Sequence, residues 1–529
     1  MKPLLRTSFF LITLVLSLPG IAKTAYPLYA ISSQYTPFTP SDLKTIAENF
    51  NYFRAVKLTK SDIDALHQIN PNLKTLQYIN SSGSFTMDEA RNVEMYYRNQ
   101  ISMYHVAILA NMIDQKQTQF KLDKESRDII PLKCSKTKED YSIDNQNYVI
   151  WIRIDNELMK VIDFNYTTNE INVQRGFAKT TPASHQVKAK VFAPVYIGFP
   201  TTPGGNDHKK RLRYAYDVTT PLAVKHLVDG TYQAIVQQGY DGMWFDTFSA
   251  GNFNHYDMFK NVVHLVWDFN KNAYANREQK REQQEIRLNT VQNQLAAKLG
   301  QTPPLFANNM HPSQYWPGNG HTRLFLMPTD LKPRPLDGYC IEAFAGVTAG
   351  RGQKPFYKLR SAWIANVKML MDASQKKLSA LPMIANAGVL SSDLEPAGKI
   401  RDDFEAYGYA SFLMAVEKNS KIMFGIPAYY FYTDQNIRKA WVHPRYFLPI
   451  GAPTETQTPE NIGRYVPTGH VTYVRNFENG LVLVNPTDQA DLFDFNTAYY
   501  DPDAERMITS LTMAPATGKI LLKTKPQIK

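Results

Sequence analysis

Two cysteines in 529 residues exclude a disulfide framework as the basis of this fold. Cys134 and Cys340 fall in different modules of the chain, and the sequence leaves open whether they pair. Metal-ligand spacing is absent too: there is no His-Glu-x-x-His and no closely spaced Cys or His pair, so no metal and no cofactor are expected. No Gly-x-Ser-x-Gly elbow is present, which removes the usual serine-hydrolase signature. Beyond the N-terminus no apolar run reaches the ~18 residues that a membrane span needs, so stable membrane insertion is not expected. The net charge of +11 is spread along the chain. Its one cluster, Lys209-Lys210-Arg211-Leu212-Arg213, has no recognition motif beside it, so no nucleic-acid partner is expected. An acidic polysaccharide or an anionic envelope surface would suit the basic surplus.

What remains is a folded, export-directed chain. Hydrophobic residues make up 43% and charged residues 20%, as in globular proteins, and the length calls for two or three domains. Aromatics reach 12%, with 31 tyrosines, a content shared by sugar-binding clefts and large cores. Met1 to Ala22 has the parts of a secretory signal: Lys2 and Arg6, an apolar stretch from Ser8 to Leu18, then small residues at Gly20 and Ala22. Cleavage after Ala22 would give a secreted or periplasmic protein.

The following chain alternates strand and helix. Tyr26 to Tyr35, Tyr52 to Leu58 and Leu73 to Asn80 read as strands, separated by helices over Ser41 to Phe50 and Lys60 to Ile69. Helical spacing continues over Thr86 to Met112. Such alternation predicts an α/β fold with a parallel sheet, here a (β/α)8 TIM barrel over residues 23–120 and 194–444. Between these parts, 121–193 breaks into short runs divided by turn residues, an inserted antiparallel β module. Within it, His185 reads as a turn histidine with no partner acid nearby in sequence. The barrel then resumes: helix Leu222 to Gln238, strand Gly242 to Asp246, helical runs Met258 to Trp267 and Lys271 to Leu299, and strands near Pro304, Leu336, Leu381 and Lys421. The run Lys271 to Leu299 is dense in Glu, Gln, Arg and Lys, as for an exposed helix. Residues 445–529 lose helical periodicity and read as a C-terminal β-sandwich, with a Glu478-Asn479-Gly480 hairpin turn.

The chemistry sits at strand ends. In Gly239-Tyr240-Asp241-Gly242-Met243-Trp244-Phe245-Asp246, an Asp-Gly turn precedes an apolar strand that ends on a carboxylate. Asp337-Gly338-Tyr339-Cys340-Ile341-Glu342 has the same build. Asn308 and Asn386 end neighbouring strands. At the C-terminal rim of a barrel these four would converge on one mouth. One carboxyl could protonate a leaving oxygen while the other attacks carbon or activates water, as glycoside hydrolysis requires. A single such residue reads better as a cap; four in register favour function. Tyr78, Trp316 and Tyr430 are candidate sugar platforms, Trp316 being the one expected to be exposed. Trp244, inside a strand, reads as core. Asp217 is a further substrate-binding candidate, and Asp402, Asp403 and Glu405 are second-tier candidates, of which Asp402 and Asp403 read better as helix-start residues serving the dipole.

The words Asp241 to Phe248, Asp337 to Glu342 and Tyr499-Tyr500-Asp501-Pro502 resemble the hypothetical glycoside-hydrolase-like family numbered fifteen, related to α-glycosidase and α-galactosidase-type barrels. The resemblance spans most of the mature chain. It implies a nucleophile or base at Asp246 and an acid/base at Glu342, where those relatives often carry Asp. The resulting expectation is an exported glycoside hydrolase acting on a poly- or oligosaccharide. The alternative is a non-catalytic glycan-binding protein on a degenerate barrel. An exported hydrolase of another bond is a third class, which no motif supports.

Overall fold

The computed structural model describes residues 26–32, 38–80, 103–123, 151–165, 167–194, 196–197, 213–214, 220–246, 248, 255–257, 262–264, 267–268, 273–274, 277–308, 310–317, 321–348, 356–382, 385–386, 397–427, 442–456 and 458–526. Met1 to Ala22, Cys134, Asp217 and Tyr430 lie outside the described residues.

Eight parallel strands follow one another in chain order: β1 (Leu28–Ser32), β2 (Tyr52–Ala55), β3 (Lys74–Asn80), β4 (Gly242–Asp246), β5 (Leu305–Ala307), β6 (Gly338–Ile341), β7 (Ala380–Pro382) and β8 (Phe424–Pro427). Every neighbouring pair is parallel, with β8 beside β1. The free edges meet where the Met423 N–H donates to the Ala380 carbonyl at 3.1 Å, so the sheet closes into a ring. This is the expected barrel.

Helices α1 (Pro40–Asn49) and α2 (Lys60–Ile69) begin with the same device. Thr39 and Thr59 accept from the backbone three residues on, and Asp42 and Asp62 accept in return from the threonine N–H groups. Such a box satisfies two otherwise orphaned donors and contributes roughly 1 kcal/mol. Helices α3 (Pro221–Gln233), α4 (Arg277–Leu299), α5 (Arg360–Gln375) and α6 (Ala397–Leu413) complete the described outer layer. The turn after α3 ends at Gly239, whose φ of 87° suits glycine. Helix α4 is not simply exposed: Leu288, Val291 and Leu295 are buried, as are Gln284 and Glu285. Arg281 pairs with Glu278 and Glu285, which lets the polar helix pack.

Side chains alternate between two cores, as the pleat dictates. Met243, Phe245, Leu305, Ala307, Tyr339 and Ile341 face the helices. Tyr29, Leu76, Trp244, Phe306, Cys340 and Leu381 fill the ring. Gly425 is required there, because a Cβ would lie 2.2 Å from the Tyr29 ring. The Asp-Gly pairs turn out to build the opposite end of the barrel. Asp241 accepts from the Thr75 N–H at 2.8 Å and Asp337 from the Leu305 N–H at 2.8 Å, tying each strand's start to its neighbour.

The inserted sheet starts earlier than residue 121. Its strands are Met103–Ile108, Gln119–Lys121, Trp151–Ile154, Glu157–Asn165, Glu170–Gln174 and Lys190–Pro194. The helical spacing of Thr86 to Met112 is thus overridden at 103–108, where Val106 and Ala107 enter the insert's own apolar core. A bridge from Leu109 to Leu122 joins the edges of this six-stranded sheet. Of the run Met258 to Trp267, residues 262–264 pair as a strand with 255–257 instead of forming a helix.

The C-terminal strands Tyr473–Phe477, Gly480–Asn485, Asp491–Asp501, Arg506–Met513 and Thr517–Leu522 form one five-stranded antiparallel sheet; a second sandwich layer is not among the described residues. Phe477 pairs with Gly480, so Glu478-Asn479 is the hairpin turn. Val482, Val484 and Leu522 join the main core, which explains why one sheet suffices: the helical layer covers its inner face. Buried Arg475 reinforces this junction, donating to the Leu413 carbonyl at 3.0 Å and to Glu417 at 2.8 Å. Among the described residues, no helix is long and apolar enough to cross a membrane.

Candidate active site at the barrel mouth

Strand register brings three of the expected residues together. Asp246 ends β4, Asn308 follows β5 by one residue and Glu342 directly follows β6. Each stands two residues beyond an interior side chain (Trp244, Phe306 or Cys340), so all three continue the inward-facing rows to the C-terminal rim. Asn308 is buried, and its amide nitrogen donates to both acids: to Asp246, and to Glu342 at 2.8 Å. Tyr78 donates its hydroxyl to Asp246. Sharing one amide nitrogen keeps the two acceptor oxygens within about 5 Å of each other.

The two carboxyls differ in surroundings. Asp246 accepts from the Tyr78 hydroxyl and the Asn308 amide. For Glu342, burial and then the nearby Asp246 charge push the pKa up, against the opposing effects of Arg54 and the Asn308 hydrogen bond. Two carboxyls held side by side in unlike surroundings are the arrangement that acid/base chemistry uses. Burial, with the Asp246 charge, also pushes the Tyr78 phenol well up, so it stays a donor.

Arg54 was not singled out from the sequence. Its guanidinium carbon lies 4.3 Å from the Tyr78 ring centre and 5.6 Å from that of Trp244. A signal did exist: Arg54 has the inward parity of Tyr52 on β2, a place where an unneeded charge is costly. Tyr78 therefore differs from the sugar platform expected of it, since Arg54 covers a ring face and the hydroxyl is engaged. Trp316 is only partly buried but leans on the core, edge-on to Tyr315 at 5.0 Å, and nothing places it at the acids. Asn386 lies beyond β7, in a short strand beside Thr348, and the described residues do not include its side chain. Glu405 is buried and accepts from the Tyr446 hydroxyl at 3.1 Å, a packing role.

The insert holds a second polar cluster. His185 does have acid partners: Asp155 at 2.7 Å and Glu157 at 2.9 Å, brought together by strand pairing across a gap that short-range sequence reading cannot bridge. Glu157 also accepts from Arg175 at 2.7 Å and from the Gly176 and Ala183 N–H groups at 3.0 Å. Burial opposes its charge, yet these donors outweigh it and bring its pKa down to about 2. Every oxygen is occupied, so the cluster reads as a structural tie. Among the described residues no group of three or more His, Cys, Asp or Glu is placed to hold a metal.

No protein-family model matches the chain, and no curated protein matches it. Solved structures similar to it include a xylosidase from Aspergillus niger, at 8% identity and TM-score 0.40 over 95% of this chain and 65% of that one. A cycloisomaltooligosaccharide glucanotransferase from Paenibacillus sp. aligns at 10% identity and TM-score 0.30, over 94% of this chain and 55% of that one. A pyruvate kinase from Cryptosporidium parvum aligns at 7% identity and TM-score 0.29, over 77% of this chain and 66% of that one. The chain thus spans about half the length of the glucanotransferase. Likenesses at this level carry no argument about activity.

Proposed function

We propose that this protein is an exported glycoside hydrolase using Asp246 as nucleophile and Glu342 as acid/base, in keeping with the resemblance to the glycoside-hydrolase-like family numbered fifteen. The observation that supports it is the Asn308 amide shared by two carboxyls of unequal environment at the barrel rim. In the proposed reaction Glu342 gives its proton to the leaving glycosidic oxygen as that C–O bond breaks. Asp246 forms a bond to the anomeric carbon. Glu342, now charged, then takes a proton from water, whose oxygen displaces Asp246 and regenerates both groups. Two oxygens that share one amide nitrogen lie nearer the separation for retention, ~5–5.5 Å, than that for inversion, ~6.5–9.5 Å.

The test is a panel of poly- and oligosaccharides, acidic ones included, digested with the purified protein. Asp246→Asn and Glu342→Gln should each lower turnover at least about 100-fold in protein that remains fully folded at the assay temperature. The first-formed anomer, read by NMR, should keep the substrate's configuration. Activity that simply tracks the folded fraction in both variants would show the acids to be structural.

A further inference from the structure

Arg54 is a buried guanidinium with no use in the chemistry above. It is 6% exposed. Its Nε is buried and has no hydrogen-bond partner, and the side chain makes no salt bridge among the described residues. What it touches are the faces of Tyr78 and Trp244. Burying such a charge without an ion pair costs several kcal/mol unless fields nearby repay it. The fields available are two ring faces and the two rim acids.

We propose that Arg54 is the positioning residue of this acidic pair: lying on the Tyr78 ring, it holds that hydroxyl toward Asp246 and supplies the positive charge that Asp246 and Glu342 share. The role deepens the proposed glycosidase reading, but its physical content stands without it. Two negative carboxyls about 5 Å apart would repel strongly in a low-dielectric mouth, and each would tend to keep its proton. A fixed cation that forms no ion pair with either acid among the described residues offsets this repulsion. Among the described residues, the charged and titratable side chains around Glu342 are Asp246 on β4 and Arg54 on β2, with Tyr78, Tyr29 and Cys340 from β3, β1 and β6.

The sign follows. Without Arg54, the charged form of Glu342 loses its cation, so its titration moves up. Carboxyl-13C glutamate labelling, with Glu342 assigned by its loss in Glu342→Gln, reads this in the full chain without any substrate. In Arg54→Met the Glu342 midpoint should rise by about one unit or more. In Arg54→Lys, which keeps the charge, it should stay near wild type. If Arg54→Met does not fold, Arg54→Gln replaces it as the neutral variant. A midpoint that does not rise in the folded neutral variant overturns the proposal, as does an equal rise in Arg54→Lys. A protein inert on every glycan that still shows the charge-dependent rise would overturn the enzymatic reading alone. Where a glycan is cleaved, the limb of the pH profile set by Glu342 should move upward in the neutral variant.

Discussion

Replacing Glu157 by Gln in the insert offers the most quantitative check on the electrostatics of this protein. The Glu157 side chain is fully buried and accepts from Arg175, His185 and two backbone N–H groups. Its pKa falls from 4.5 to about 2. A depressed carboxylate adds stability above its unfolded pKa and loses it as pH falls through the folded one. The shift is worth about 3 kcal/mol at pH 7, of which about 2 kcal/mol should be gone by pH 3. Gln keeps the shape but not the charge, and it also leaves buried Arg175 without its anion. The destabilisation of Glu157→Gln relative to wild type should therefore shrink by about 2 kcal/mol between pH 7 and pH 3. Urea titration with peptide-resolved hydrogen exchange over 151–194 would isolate the insert, which has its own apolar core. A penalty equal at both pH values would refute the reasoning.

Three further outcomes follow from the barrel. Glu342 has a raised pKa, so the folded state holds its proton more tightly than the unfolded chain does, and stability falls as pH rises past the ordinary carboxylate range. Glu342→Gln should accordingly be more stable than wild type at pH 8, with the gain fading toward pH 4 in thermal melts. Tyr78→Phe removes a hydrogen bond worth about 0.5–1.5 kcal/mol and should lower turnover on any cleaved glycan; unchanged turnover would separate Tyr78 from the chemistry at Asp246. Gly425→Ala drives a methyl into the Tyr29 ring and should cost about 1–3 kcal/mol by denaturant titration, whereas a neutral result would mean the ring interior is looser than drawn.

Much of this architecture was legible because it is periodic. The eight strands follow from apolar runs bounded by turn residues, and Asp246, Asn308 and Glu342 follow from where those runs end. Contacts set by strand pairing across long gaps were not legible. Nothing local to Arg54 announces that Tyr78 and Trp244 will lie beside it. His185 shows no acid neighbours in sequence order, yet the turn at Asp155–Asn156 delivers two. The strand at 103–108 defeats its helical spacing because the insert's core claims its apolar side. Helix α4 reads as solvated because its composition is polar, while Arg281 and Glu285 neutralise one another inside.

The filling of the ring has an optical consequence. The Trp244 indole lies parallel to Phe306, 4° apart in plane at 5.9 Å, and 5.8 Å from Tyr29, with Arg54 above it. It is a fluorophore fixed directly beneath the rim, shielded from bulk solvent and next to a charged group. Anything that displaces Arg54 or Tyr78 changes the local field on that indole. A ligand in the mouth that moves either residue should therefore alter the Trp244 emission, which Trp244→Phe would separate from that of the other five tryptophans.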